Sequence, residues 1–166
     1  ATKAAADMLI LAWQRTYKIP YVILRPTNNY GIGQYVEKLI PKACKYVKLG
    51  KPLPLHNRGE PVRNWLHAKD TALAVIKIVE VGAYNNIYNI SGSFEESNYL
   101  VFKKVLKHLN KGSVEENADF SFDRDGQDMR YALNDEKIKK LGWKPEANFS
   151  EELPKIVDYY NEKFIW

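Results

Sequence analysis

The sequence predicts an α/β fold, and two observations carry that reading. Tyr21-Val22-Ile23-Leu24 is an unbroken apolar run, as in a strand covered on both faces, and helical patterns flank it at Thr2 to Tyr17 and Glu37 to Leu49. The alternation then continues. Strand-like stretches at 51–59, 62–67, 87–92 and 119–122 are interleaved with helical patterns at 71–81, 99–109 and 150–164. In open α/β sheets ligands bind beyond the carboxyl ends of the strands. The segment after Leu24, Arg25-Pro26-Thr27-Asn28-Asn29-Tyr30-Gly31, is read as a polar loop there. Asn28, Asn29, Tyr30 and the later Lys38 supply amides, a phenol and a cation to a polar ligand.

Each element follows from local pattern. The helix Thr2 to Tyr17 stops at Lys18-Ile19-Pro20, and its apolar residues cover more than one stripe. It should therefore be buried on two sides, one against the sheet and one against a partner chain, through Ala4 to Tyr17. The helix Glu37 to Leu49 turns Leu39, Ile40, Ala43, Cys44 and Val47 inward, tolerates Pro41 in its first turn and ends at Gly50. Lys51 to Gly59 reads as a short strand and turn, Val62 to His67 as a second strand. Asp70 is the expected N-cap of a helix Thr71 to Val81 closed by Gly82. Ile87 to Gly92 is a strand ending in a turn. Asn98 is the expected N-cap of Tyr99 to Leu109, with Leu100, Val101, Val105, Leu106 and Leu109 buried. Asp119 to Phe122 reads as a strand. Asn134 caps a short helix ended by Gly142, and Ser150 caps a last helix to about Phe164, with Leu153, Ile156, Val157, Tyr160 and Phe164 on one face.

Composition narrows the function. A chain of 166 residues with 45% hydrophobic content and no linker is one packed unit. Its one cysteine, Cys44, excludes an internal disulfide, suits a reducing cytoplasm and reads as a small core residue. No apolar run approaches the roughly 18 residues of a membrane span, and no secretory signal opens the chain. The net charge of +5 comes with lysines at helical spacing, which are solvated faces, and no nucleic-acid-binding motif accompanies them. No metal is expected. His56 and His67 lack ligand spacing, and the aspartate-rich run from Asp123 has its glycine, Gly126, at the fourth place and Asn134 at the twelfth, against the calcium-loop pattern. By residue type alone Arg63 suits a surface ion pair as well as an anion.

The stretch Arg25 to Gly31 followed by Glu37-Lys38-Leu39-Ile40-Pro41 resembles the nucleotide-sugar branch of the extended short-chain dehydrogenases, most closely the dTDP-glucose 4,6-dehydratases, with Ile32 where that family has proline. Val62-Arg63-Asn64-Trp65-Leu66-His67, Tyr88-Asn89-Ile90, the run Asp123 to Tyr131 and Leu141-Gly142-Trp143-Lys144-Pro145 extend the likeness. Asp125 and Gln127 depart from the family's proline and histidine. The resemblance covers nearly all of this chain but about the second half of the family's enzyme. It implies the last strand and helix elements of a Rossmann domain, about 1–33, and a small α/β substrate-binding lobe, about 34–166.

The resemblance also implies roles. Lys3 falls on the lysine of a Tyr-x-x-x-Lys motif, which holds the cofactor's ribose and lowers the tyrosine's pKa. The tyrosine's position lies before residue 1, so Lys3 reads equally as a solvated terminal lysine. Asn29 would contact the nicotinamide side of NAD. Asn28, Lys38, Leu39, Arg63 and Asn98 would hold a nucleoside diphosphate sugar such as dTDP-glucose, with Pro54, Leu55 and His56 and, from the later segment, Asp123, Arg124 and Gln127. Asn98 thus has both a capping and a ligand reading. The family reaction is NAD-dependent dehydration of dTDP-glucose to the 4-keto-6-deoxy sugar. The nine glycines here form no G-x-x-G-x-x-G or G-x-G-x-x-G loop. The chain alone is therefore expected to be inactive and not to hold NAD, and to form a homodimer or join a partner chain through its first helix. Two alternatives stay open: a nucleotide-sugar-binding or enzyme-completing module from a split gene, and a fragment of a UDP-sugar epimerase or decarboxylase.

Overall fold

A computed structural model describes residues 1–163. In chain order the elements are α1 (Thr2–Tyr17), β1 (Val22–Pro26), β2 (Asn28–Tyr30), α2 (Leu39–Lys48), β3 (Leu53–Pro54), a 3-10 turn (His56–Gly59), β4 (Val62–His67), α3 (Ala68–Glu80), β5 (Asn86–Ile90), β6 (Phe94–Ser97), α4 (Asn98–Leu109), α5 (Val114–Asn117), β7 (Ala118–Asp119), β8 (Arg130–Tyr131), α6 (Glu136–Lys139) and α7 (Phe149–Glu162). The expected α/β class is what forms. The last helix closes at Glu162, and the expected place of Phe164 on its face lies outside the described residues.

The chain forks at Thr27. β1 runs parallel to β5, from Val22 opposite Asn86 to Pro26 opposite Ile90. Thr27 N–H still donates to Ile90 O, and β2 then crosses to lie parallel to β4, with Asn28, Asn29 and Tyr30 opposite Trp65, Leu66 and His67. The expected polar loop is thus partly a strand, because the β4 ladder takes up backbone groups that low strand propensity would have left to water. Asn64, 8% exposed, pins the fork. Its Oδ1 accepts from Thr27 Oγ1 at 2.8 Å and Gly92 N–H at 2.7 Å, and its Nδ2 donates to Gly92 O. Gly92 is required there, since a Cβ would lie 1.8 Å from the Trp65 carbonyl oxygen.

β4 is the hub of its sheet. It also pairs antiparallel with β6, Val62 opposite Ser97, and parallel with β8, Val62 opposite Arg130. One core packs α2, α4 and α7 around Ile40, Phe102, Leu153 and the aromatic group Tyr30, Trp65 and Phe149. A second, around Leu66, Ile78, Tyr88 and Trp143, lies beside it.

Several expectations are corrected. α1 has the expected bounds but none of its residues is buried; Leu9 is 62% and Trp13 60% exposed. The β1–β5 pair offers it only a two-strand ladder, so Leu9, Ile10 and Trp13 line an open apolar groove with Ile19 and Tyr21. In β1 only Ile23 is fully buried, with Val22 and Leu24 half-covered. Leu100 faces outward on α4, and β7 stops at Asp119. Three helices start earlier than their expected caps: His67 Nδ1 accepts from Lys69 N–H, Ser97 Oγ from Leu100 N–H and Asn148 Oδ1 from Ser150 N–H. Acceptors just upstream won each competition. Asp70, displaced into α3, accepts instead from the N–H groups of Glu146 and Ala147.

Candidate functional site

The fork at Thr27 positions a cleft of about 520 Å³ between β2, β4 and the starts of α2 and α4. Asn28, Asn29, Lys38, Leu39, Arg63 and Asn98 all line it. These six, chosen from four separate stretches of sequence, are brought together by three local events. The β2–β4 register sets the two asparagines beside the strand that carries Arg63. Lys38 is the N-cap residue of α2. Asn98 is the first residue of α4, and capping by Ser97 spares its side chain. Two cations and two helix N-termini meeting in one cleft favour an anion, because the first N–H groups of a helix have no intrahelical acceptor. Lys38 pairs with Glu37 at 2.6 Å, both exposed to water.

The cleft's side chains differ in freedom. Asn29 is held on both sides: Nδ2 donates one N–H to Thr27 O at 3.2 Å, and Oδ1 accepts from Thr71 Oγ1 at 2.7 Å. Arg63 Nη1 donates to two carbonyls, Val62 O and Asp128 O, both at 2.8 Å. Its Nε and Nη2 have no partner among the described residues, so one edge of the guanidinium stays open to a ligand.

Other expected residues lie elsewhere. Tyr30, 2% exposed, packs edge-on against Trp65 and tilted on Phe149, and belongs to the core rather than the cleft. Burial, then the charges of Asp70 and Glu152, push its phenol well above its usual range and keep it neutral. Lys3 stands exposed in the first turn of α1. Pro54 is in β3, and Leu55 is in the core with its N–H on Asp119 O. His56 meets the Phe122 ring edge-on at 6.2 Å. Asp123, Arg124 and Gln127 sit on the segment that Arg63 reaches at Asp128. There Arg124 N–H donates to Asn57 Oδ1, and Gln127 Oε1 is buried without a partner.

Sequence reasoning missed Thr27, Gln34, Tyr35 and Trp65 in the lining and the supporting pair Asn64 and Thr71. A signal existed for Asn64. Strand alternation sets it on the face opposite Arg63, where a polar residue needs internal partners. Among the described residues no His, Cys, Asp and Glu cluster could hold a metal ion.

Comparison with known proteins agrees with this architecture. Residues 1–156 match the family described as GDP-mannose 4,6 dehydratase. The chain is 40% identical over 170 residues to the dTDP-glucose 4,6-dehydratase of Neisseria gonorrhoeae, covering 96% of this chain and 49% of that protein. It is 39% identical over 160 residues to the low-salt glycan biosynthesis protein Agl12 of Haloferax volcanii, covering 96% and 51%. The crystal structure of DesIV, a dTDP-glucose 4,6-dehydratase from Streptomyces venezuelae with NAD and TYD bound, superposes with a TM-score of 0.89 at 34% identity, over 96% of this chain and 49% of that one. The chain spans about half the length of the curated relatives it matches. The chain belongs to the GDP-mannose 4,6 dehydratase family.

Proposed function

We propose that this chain is the nucleotide-sugar-binding half of a dTDP-glucose 4,6-dehydratase. Residues from about 34 onward would form mainly the substrate lobe and residues 1–33 would belong with the cofactor domain. The observation that carries the reading is the convergence of Asn28, Lys38, Arg63 and Asn98 on one cleft. In it the open edge of Arg63 binds two diphosphate oxygens, Lys38 adds a mobile charge, and the amides of Asn28 and Asn98 meet hydroxyl or carbonyl groups.

We infer that the residues present do not by themselves make an NAD site. Asn29, the expected nicotinamide contact, is held by Thr27 and Thr71 in the wall of the cleft, with one N–H and one oxygen lone pair left over. Lys3 is exposed in α1, and the sequence has no glycine-rich dinucleotide loop. No hydride step is therefore assigned to this chain, and it should make no keto-sugar unaided.

Calorimetric titration tests the reading. dTDP and dTDP-glucose should bind saturably and more tightly than UDP-glucose, and Arg63→Ala should weaken both. Absent binding, or equal binding by the variant, rejects it.

The exposed apolar side of α1 favours a second element, association through that helix with another copy or with a chain supplying the rest of the enzyme. No described helix is long and apolar enough to cross a membrane.

A further inference from the structure

The segment from Phe122 to Tyr131 is a strap held at two ends. At one end Asn57 N–H donates to Phe122 O at 3.3 Å, and Asn57 Oδ1 accepts from Arg124 N–H at 3.0 Å. At the other, Val62 N–H donates to Met129 O at 2.7 Å, β8 pairs with β4, and the Arg130 guanidinium grips the Glu95 carboxylate with two nitrogens. Between them Arg63 Nη1 reaches Asp128 O at 2.8 Å. Arg63 is thus the one residue lining the cleft that is also bonded to the strap, among the bonds of the described residues.

Asn57 holds its end in an unusual way. Its backbone is left-handed, φ 49° and ψ 43°, and Arg58 follows at φ 52°. Two successive non-glycine residues in that region persist only where surrounding contacts hold them. Here they include Asn57 with the strap, the Asn57 carbonyl with Glu60 N–H and the Arg58 guanidinium over the Phe120 ring.

We propose that Asn57, which does not line the cleft, is a positioning residue for anion binding there. It fixes the strap, the strap's Asp128 carbonyl occupies Nη1 of Arg63, and the guanidinium is thereby locked with Nε and Nη2 turned to the ligand. This deepens the nucleotide-sugar reading and rests on it. Releasing the strap leaves the charge in place but returns rotamer freedom to Arg63, which ligand binding must then remove again.

Asn57→Gly keeps the left-handed backbone and deletes only the side-chain acceptor. The variant should melt close to wild type yet bind dTDP about three- to tenfold more weakly, the worth of one net hydrogen bond. In an Arg63→Ala background it should cause no further loss, since the coupling runs through that guanidinium. Wild-type affinity in Asn57→Gly, or equal effects in both backgrounds, overturns the proposal. Hydrogen exchange on the unliganded chain gives an independent arm. Arg63→Met, which keeps the apolar stem, should speed exchange of the Val62 and Arg124 amides, and an unchanged Arg124 amide overturns the link. If wild type does not bind dTDP, the nucleotide-sugar reading fails, while the exchange arm still decides the strap.

Discussion

The Thr71 hydroxyl donates to Asn29 Oδ1 at 2.7 Å, joining the first turns of α3 to the middle of β2. Together with the bond from Asn29 Nδ2 to Thr27 O, it makes Asn29 a brace of the cleft wall. Thr71→Val keeps the shape and removes the donor, leaving a half-buried amide oxygen unmet. Equilibrium urea unfolding should show a loss of about 1–2 kcal/mol, and dTDP binding should weaken because the wall moves. Unchanged stability would show that water replaces the hydroxyl.

Asp70, 1% exposed, spans a longer gap in sequence. Its two carboxylate oxygens accept from Glu146 and Ala147 N–H groups, and its carbonyl accepts from Trp143 Nε1, so it anchors the turn before α7. Asp70→Asn sets an amide NH₂ against a backbone N–H. The expected loss is about 2–3 kcal/mol by urea unfolding, larger than for an uncharged acceptor.

Arg63→Lys tests fork geometry against charge. An ammonium cannot reach Asp128 O and also offer a paired edge to a diphosphate. Binding of dTDP should fall about tenfold, roughly 1.4 kcal/mol. If lysine binds as tightly as arginine, the cleft reads charge alone.

Cys44 is 2% exposed, and burial above all pushes its thiol from 9.0 up to about 12, with the Asp158 charge acting the same way. A raised folded pKa means that the native state keeps a proton the unfolded chain releases. The stability present below pH 9.0 is thus lost as pH rises from 9.0 toward about 12. Cys44→Ala should flatten that alkaline slope. At pH 8 a thiol reagent should label native Cys44 no faster than the chain unfolds.

Trp13→Glu addresses α1. With Leu9, Ile10 and Trp13 on one open groove, wild type should elute from a sizing column above its monomer size and the variant should elute as a monomer. A wild-type monomer removes α1 as a site of self-association.

The sequence by itself determined the α/β order of elements, the exact span of α1 and of β4, and the family motifs that hold Asn28, Lys38 and Arg63. Such features are local: helix and strand periods, turn residues and short motifs are written in adjacent positions. Tertiary structure alone decided the rest. Asp70, Asn98 and Ser150 all have capping chemistry, but neighbours one to three residues upstream took that role, and Asp70 became an anchor for a turn more than seventy residues away. The short Asn28–Tyr30 stretch became a strand only because β4 offered it a ladder, and Tyr30 went to the core for the same reason. Periodicity marked α1 as apolar but could not say what covers it, since burial depends on which surface arrives opposite a face and not on the face itself.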